Sequence, residues 1–348
     1  MERRMVYLDS AATVLPTFWA KDFMGYSGNP NAKHKMGQMV RNKYEECKQR
    51  LKDILGVSSG EIFFARCATE IANELWLESF FGNGGRNFDI WCSPWEHDSC
   101  YVGSCEFSKD RNVFATDCYQ IVFWQYVNHM TGNHFFMELP EKHDNTLLFS
   151  DFTAAIGKVE IPKIEGNFDA IWCSGHKFGA EGGGWLWVSD KALDWLPGIK
   201  HSFGGTPNVP QIVALTTATE YAIMGTKENF KHYVFLWTAV QNQLFDEGIE
   251  HEIIGDDNLP ITCAVMTLRF PGMNADALAT YLSDRKIYVS MGKSACSEDN
   301  DFRALESWGL TKEQAEECIR ISFDPDSTTA DTDDFVKAVA AFKEEYLN

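Results

Sequence analysis

The chain has 348 residues, of which 45% are hydrophobic and 23% are charged. This composition is typical of a globular protein, and the length suits a large domain that carries a smaller one. The formal net charge of −19 at pH 7 argues against direct binding of nucleic acid or anionic lipid. No segment has the roughly 18 consecutive apolar residues of a membrane helix, and the N-terminus lacks the apolar run of a signal peptide. We therefore expect a cytoplasmic protein with no membrane partner.

The ten cysteines form no Cys-x-x-Cys pair and no regular spacing. The sequence thus indicates neither a zinc site nor a disulfide framework. We expect no metal cofactor, and we expect most of the thiols to be reduced and buried.

Apolar periodicity predicts strands that alternate with helices along the first half of the chain. The predicted helices cover 32–56 and 70–80, and the predicted strands cover 61–65, 88–92, 121–127, 146–150, 168–173 and 185–188. Short buried strands that alternate with helices are typical of an α/β sheet with mostly parallel order.

The remainder of the chain has a different order of predicted helices and strands. A long helical pattern from Pro210 to about Phe245 is long enough to connect two domains. It is followed by predicted strands over 264–270 and 318–323, a helix over 275–285, a loop over 291–301 and a terminal helix. We therefore predict a large domain over 14–240, and a small α+β domain formed by 1–13 and 241–348.

The most informative segment is a predicted strand that ends in Ser174-Gly-His-Lys177, directly followed by glycines at 179, 182, 183 and 184. Glycines let the backbone turn back tightly. A lysine at the end of a buried strand can lose its proton in a closed site and attack a carbonyl, as a Schiff base requires. A surface lysine in a glycine-rich turn is the alternative interpretation.

Two further segments place polar groups where a predicted strand ends. Asp151 follows the strand over 146–150, and a carboxylate there can keep the nitrogen of a pyridine ring protonated. Thr69 lies at a strand-to-helix junction, where free backbone N–H groups and a hydroxyl can bind a phosphate. The alternatives are an aspartate that caps the next turn and a threonine that caps the helix.

These segments, in this order, resemble the class V aminotransferase branch of the fold-type I pyridoxal-phosphate (PLP) enzymes, and in particular the cysteine desulfurases. Further motifs that match run essentially from end to end: Tyr7-Leu-Asp-Ser-Ala-Ala-Thr13, Gly28-Asn29-Pro-Asn-Ala-Lys-His34, Glu96-His97, Gly205-Thr206-Pro-Asn-Val209, Ser294-Ala-Cys296-Ser297 and Ile319-Arg320-Ile-Ser322. The resemblance implies a large α/β domain, with a mainly parallel seven-stranded sheet flanked by helices, and a small α+β domain.

The resemblance also implies how PLP would be held. Lys177 would carry it as a Schiff base, and Asp151 would pair with the pyridine nitrogen. His97 would stack on the ring and take part in proton transfer. The other expected cofactor contacts are Ala68, Thr69, Ser174, His176 and, from the neighbouring subunit of a homodimer, Thr206.

Cys296 separates a desulfurase from an ordinary aminotransferase. It lies among small residues and is followed by Glu-Asp-Asn-Asp, the composition of an exposed loop. A thiolate can attack a sulfur and keep it as a persulfide, and the resemblance gives this role to Cys296. The resemblance assigns the substrate carboxylate to Arg320, whose guanidinium suits bidentate contact, with His129 and Asn29 as further substrate contacts.

Several positions depart from the family pattern. Ala154 stands where a glutamine usually bonds the ring hydroxyl of the cofactor, and His129 stands where an asparagine is usual, with Asn128 and Asn133 nearby. Cys67 and Lys293 replace glycines. These differences indicate a divergent member of the family. We expect them to affect substrate preference and reaction rate more than cofactor binding.

The sequence therefore predicts a PLP-dependent cysteine desulfurase that converts L-cysteine to L-alanine and passes sulfur from Cys296 to an acceptor protein. One alternative is a class V aminotransferase or a β-eliminating lyase, similar to a selenocysteine lyase, in which Cys296 is incidental. Another is a non-catalytic scaffold for sulfur-transfer proteins. A homodimer is expected, and the acidic surface suggests an acceptor with basic character.

Overall fold

The computed structural model of the chain describes residues 5–11, 26, 28–81, 88–100, 106–107, 119–135, 142–292 and 302–347. The chain divides into two compact units. The sheet unit comprises 15–126 and 136–226, and the terminal unit comprises 1–14, 127–135 and 227–348. The predicted large domain, 14–240, includes 127–135 and 227–240, which here belong to the terminal unit.

The elements up to the long helix are, in chain order, β1 (Val6–Tyr7), α1 (Lys35–Leu55), β2 (Glu61–Ala65), α2 (Ala68–Phe81), β3 (Phe88–Cys92), β4 (Glu106–Phe107), β5 (Tyr119–Phe123), β6 (Thr146–Asp151), β7 (Ala170–Ser174), β8 (Gly184–Val188), α3 (Asp190–Trp195), α4 (Ile199–Ser202) and α5 (Val209–Asp246). The later elements are β9 (Glu252–Ile254), β10 (Val265–Arg269), α6 (Ala275–Asp284), β11 (Ile287–Tyr288), β12 (Ser290–Met291), α7 (Arg303–Glu306), α8 (Lys312–Ala315), β13 (Cys318–Ser322) and α9 (Thr329–Tyr346). Among the helices of the described ranges, none is both long and apolar enough to cross a membrane.

Strands β2 to β8 form a seven-stranded sheet in the order β2-β8-β7-β6-β5-β3-β4. Strands β3 to β7 pair in parallel, whereas β8 is antiparallel to both of its neighbours. Every residue of β6, β7 and β8 is buried, as expected for strands covered on both faces. The prediction of a mainly parallel seven-stranded sheet is confirmed. Because β6 and β7 are parallel, their carboxyl ends lie at the same edge of the sheet.

Helix α2 packs its apolar side chains on one face of this sheet. Trp76 of α2 stacks on Phe123 of β5 with ring centroids 4.4 Å apart, and Ile71, Ala72 and Leu75 are fully buried in the same cluster. This packing fixes where α2 begins, and its first residues directly follow the end of β2.

The terminal unit contains a four-stranded antiparallel sheet in the order β12-β13-β10-β9, and a parallel pair of β1 with β11. Helices α6 and α9 contribute to its apolar core, with Leu278, Leu282, Phe335 and Val339 buried. The segment 127–135 is attached to β10, since the Thr267 hydroxyl donates to the carbonyl oxygen of Met130 at 2.6 Å. The unit therefore draws on three separate stretches of the chain.

Candidate active site

Lys177 lies in a tight turn that leaves β7 at the carboxyl edge of the large sheet. The turn is a single stretch of 3₁₀-helix, Gly175–Lys177. The N–H of Gly175 donates to Gly183 O at 2.8 Å, and the N–H groups of Phe178 and Ala180 donate to Gly175 O at 3.1 and 3.0 Å. The sequence predicted this strand-end lysine, and the antiparallel β8 closes the turn behind it.

The junction of β2 and α2 lies directly against this turn. A Cβ placed on Gly184 would lie 2.8 Å from the carbonyl oxygen of Cys173 and 3.1 Å from the carbonyl carbon of Cys67. Only a glycine permits such an approach of two backbones. Ala68 and Thr69 form the first turn of α2 at this junction, so the proposed phosphate-binding residues lie beside the lysine turn.

Asp151 is the last residue of β6 and is buried. The N–H of Thr153 donates to Asp151 Oδ1 at 2.7 Å. Burial raises the pKa of the Asp151 carboxyl, and the hydrogen bonds from Thr153, the charge of Lys177 and the indole of Trp172 oppose this shift. Asp151 and Lys177 are thus close enough to interact electrostatically.

Two histidines lie near Lys177. Burial lowers the pKa of His176 to about 4, and the positive charges of Lys177 and His97 act in the same direction. His176 is therefore neutral at pH 7, and its Nδ1 lies 2.8 Å from the hydroxyl oxygen of the buried Ser174. His97 and Lys177 are therefore both close enough to His176 to affect its protonation.

Sequence reasoning missed Ser99, which contacts the ring of His97. The Ser99 hydroxyl lies 2.9 Å from His97 Nδ1, and the Ser99 N–H donates to the same nitrogen at 3.1 Å. A serine two residues after a histidine is a recognisable turn signal, because short polar side chains and nearby N–H groups often bond locally.

The described groups fit PLP. The cofactor needs a carboxylate for its ring nitrogen, a lysine for its aldehyde and donors for its phosphate, and the sheet unit brings Asp151, Lys177 and the α2 junction together. A further observation supports the fit: Asp151 is buried at the end of β6 and close enough to Lys177 for their charges to interact, so a carboxylate and an amine face the same region.

Other predicted site residues are positioned less distinctively. Thr206 is exposed and follows Gly205, which has a left-handed backbone with φ of 106°. Asn29 is exposed, and its Oδ1 accepts the N–H of Asn31 at 2.8 Å. The nucleophile proposed from the sequence, Cys296, lies outside the described residues, as do Lys293 and the serines that flank Cys296.

Arg320 lies on β13 in the terminal unit and is buried. Its Nη1 donates to the carbonyl oxygen of His129 at 3.1 Å, and its Nη2 donates to the Ser290 hydroxyl at 3.1 Å and lies 3.5 Å from Asp9 Oδ1. Its Nε is buried and makes no hydrogen bond within the part of the chain that the structure describes. Burial lowers the pKa of Arg320, and Asp9 opposes this. The guanidinium therefore keeps an unused donor for an anion.

The segment that carries His129 contacts Arg320 through its backbone. The side-chain amides of Asn128 and Asn133 bond within the protein. Asn128 Oδ1 accepts the N–H groups of Met130 and Thr131, both at 2.9 Å. Asn133 Nδ2 donates to Asp256 O at 3.0 Å. These contacts hold the turn, and they leave the role of His129 toward a substrate as a prediction.

The family model described as aminotransferase class-V matches residues 6–114 and 102–335. The chain therefore belongs to the class V aminotransferase family. This membership confirms the family and the PLP cofactor predicted from the sequence.

Relatives and solved structures cover nearly the whole chain. A cysteine desulfurase IscS of Rickettsia felis is 26% identical, with 94% of this chain and 88% of the relative aligned. A cysteine desulfurase IscS of Methanosarcina thermophila is 24% identical, with 100% and 94% aligned. A NifS-like protein superposes with a TM-score of 0.84 at 23% identity, over 98% of this chain and 100% of that one. A NifS-like protein from Rickettsia africae ESF-5 gives 0.80 at 22% identity, over 99% and 100%. These structures confirm the predicted fold class.

Proposed function

We propose that this protein is a PLP-dependent cysteine desulfurase, which converts L-cysteine to L-alanine and transfers the sulfur as a persulfide on Cys296 to an acceptor. The observation that supports this most strongly is the grouping of Asp151, Lys177 and His97 at one edge of the sheet. It occurs in a chain that is similar along its whole length to proteins named cysteine desulfurase.

Each residue of the sheet unit has a task that its surroundings favour. Bound PLP supplies an electron sink for negative charge at the substrate Cα. Lys177 would hold the cofactor, and its amine would serve as the base for the substrate Cα proton. The buried carboxylate of Asp151 would keep the ring nitrogen protonated, because it would gain a positive partner in a site that otherwise penalises its charge. His97 would take part in proton transfer through Nε2.

The phosphate is assigned to the junction and the lysine turn. Helix α2 begins at Ala68, so its first N–H groups have no partner within the helix and favour an anion. Thr69, Ser174 and His176 add side-chain donors. We place Thr206 on the phosphate of the neighbouring subunit in a homodimer, which its exposed position permits.

Arg320 is assigned to the substrate carboxylate. Its buried Nε has no hydrogen-bond partner among the described residues, and a guanidinium is the side chain best suited to bidentate binding of a carboxylate. His129 and Asn29 are kept as further substrate contacts. The sulfur acceptor is proposed to be a protein of basic character, since this chain carries a net charge of −19. We also propose that the enzyme acts in the cytoplasm.

The proposal is tested by products formed from L-cysteine with a thiol reductant present. The wild-type protein should be yellow and release alanine and sulfide in equal amounts, and mass analysis should find one added sulfur on the Cys296 peptide. Cys296→Ser should keep the yellow colour and lose the persulfide and nearly all sulfide release. Cys263→Ser, a change at a buried thiol of the terminal unit, should behave as the wild type.

Three other results would each contradict the proposal. Pyruvate as the product would indicate a β-eliminating lyase, and an exchanged amino group would indicate an aminotransferase. A colourless protein that retains no PLP after reconstitution would indicate a non-catalytic scaffold. Full sulfide release by Cys296→Ser would remove the thiol from the mechanism.

A further inference from the structure

Lys158 is a buried cation beside the residue that holds the cofactor. It is 5% exposed, and its Nζ donates a hydrogen bond to the main-chain carbonyl oxygen of Lys177 at 3.2 Å. Burying an ammonium group is costly unless it is paired or hydrogen-bonded. The groups that Lys158 contacts should therefore explain why a lysine occupies this buried position.

The turn after β6 brings Lys158 to this place. The N–H groups of Ala155 and Ile156 donate to the carbonyl oxygen of Phe152 at 2.9 and 3.1 Å, and the N–H of Lys158 donates to Ala155 O at 2.9 Å. Gly157 has a left-handed backbone with φ of 75°, which a glycine adopts at little cost. The chain thus turns sharply after Asp151, and Lys158 returns toward the lysine turn.

The carbonyl that Lys158 contacts lies at the end of the lysine turn. Lys177 is the last residue of the stretch Gly175–Lys177, and the last carbonyls of a helical turn have no partner within it. Lysine side chains can hydrogen-bond such carbonyls at the end of a helix. The contact of Lys158 therefore fixes the backbone at the position from which the side chain of Lys177 projects.

The charge of Lys158 acts in the same buried region as that of Asp151. The thiol of Cys173, on β7, is affected by both groups: burial raises its pKa, the Asp151 carboxylate raises it further, and the Lys158 ammonium lowers it. Lys158 and Asp151 are thus both near the end of β7, and their charges are opposite.

We infer that Lys158 is a positioning residue for Lys177: its ammonium caps the lysine turn and holds the backbone of Lys177 in the conformation that presents its amine to PLP. This inference rests on the proposed function to the extent that Lys177 is the residue that bonds the cofactor. Lys158 itself does not touch PLP in this assignment.

The experiment measures how fast PLP bonds to Lys177 in cofactor-free protein. The rate is followed by the visible absorbance of the bound cofactor, and the site is identified by borohydride reduction and peptide mass analysis. Lys158→Met keeps the length of the side chain and removes the ammonium. Because the variant loses a hydrogen bond from a charged group, we expect bonding at Lys177 to be at least about tenfold slower.

Lys191→Met is the matched control. Lys191 is half-buried, and its Nζ donates to the carbonyl oxygen of Thr146 at 2.9 Å, at the start of β6 rather than at its end. The Lys191→Met variant loses the same kind of hydrogen bond at the same sheet. The rate at which PLP bonds to Lys177 in this variant should therefore stay within about twofold of the wild-type rate. Thermal unfolding of both cofactor-free variants measures the loss of stability separately.

The inference is overturned if Lys158→Met bonds PLP at the wild-type rate, or if Lys191→Met is slowed equally. If Lys158→Met does not fold, Lys158→Gln takes its place, and a wild-type rate for that variant has the same meaning. Failure of the wild-type protein to bond PLP at Lys177 would instead contradict the proposed function.

Discussion

The main-chain N–H of Ser99 donates to Nδ1 of His97 at 3.1 Å, and the Ser99 hydroxyl oxygen lies 2.9 Å from the same nitrogen. A neutral imidazole carries one proton, and a nitrogen that accepts an N–H cannot also carry it. The proton of neutral His97 is therefore on Nε2. Because Cys100 N–H also donates to His97 O at 2.8 Å, the local turn fixes both the backbone and the ring.

This relationship predicts a modest, specific effect of Ser99→Ala. The change removes the hydroxyl but leaves the N–H contact, so we expect alanine formation to slow by about two- to tenfold, the equivalent of one neutral hydrogen bond. Ser93→Ala is the control, since the Ser93 hydroxyl accepts the N–H of Trp95 at 3.2 Å. Equal rates for Ser99→Ala and wild type would show that the hydroxyl does not orient the ring.

Asp151→Asn should stabilise the cofactor-free protein while it weakens cofactor binding. Burial raises the pKa of Asp151, so the charged form is penalised in the folded state. That penalty is absent below the ordinary carboxyl pKa and grows as the pH rises through the raised value. The melting temperature of the cofactor-free variant should therefore exceed that of the wild type at pH 7, and the difference should shrink on acidification.

The same variant should retain PLP about ten- to hundredfold less tightly, since a charge-assisted hydrogen bond to the ring nitrogen is lost. Asp169→Asn is a control of opposite sign, because the Asp169 carboxylate accepts the N–H of Leu148 at 3.0 Å and pairs with Lys142 at 2.9 Å. It should lower the melting temperature. A cofactor-free Asp151→Asn protein that melts below the wild type would contradict the argument.

Arg320→Lys should raise the KM for L-cysteine by about ten- to hundredfold, because an ammonium cannot bind a carboxylate with two parallel hydrogen bonds. The visible absorbance of bound PLP should be unchanged. Arg269→Lys on β10 is the control: Arg269 is paired with Glu252 and Glu317 at 2.9 and 2.8 Å, and its replacement should leave KM unchanged. A KM effect of the same size in both variants would argue for a general disturbance of the sheet.

His134 should make the protein sensitive to acid. Burial lowers the pKa of His134 from 6.5 to about 4. As the pH falls from 6.5 to 4, His134 becomes protonated in the unfolded chain but stays neutral in the folded chain. The contribution of neutral His134 to the free energy of unfolding is therefore complete above pH 6.5 and is lost progressively toward pH 4. His134→Gln should show a shallower fall in melting temperature between pH 7 and 5, and an identical fall would refute the assignment. His176 contributes in the same direction and remains in the variant.

The sequence predicted the strand-end residues of the site for a physical reason. The apolar runs over β6 and β7 are buried strands, and a polar residue directly after such a run has to lie at the sheet edge. The positions of Asp151 and Lys177 at strand ends were therefore predicted from the pattern, whereas their roles toward PLP were predicted from the family resemblance. Ser99 could have been found from its spacing to His97, but nothing in the pattern distinguishes it from an ordinary turn serine.

Other features could not be predicted because they depend on distant parts of the chain. The run Trp185–Val188 is buried at every residue, so its side chains give no indication that β8 runs antiparallel to its neighbours. Apolar residues after Phe123 extended the predicted strand, yet β5 ends there while Trp124 and Tyr126 stay buried. Likewise, 127–135 joins the terminal unit through contacts such as Thr267 with Met130, which lie 137 positions apart.

Gly184 limits how this site can evolve. As the first residue of β8, it lies so close to the end of β7 and to the residue before α2 that a single added methyl group would meet the backbone of both Cys173 and Cys67. A larger residue at this position would therefore displace at least one of these two segments. We therefore expect a change of substrate to arise at other positions, such as the turn over 127–135, where the divergent residue His129 contacts Arg320 through its backbone.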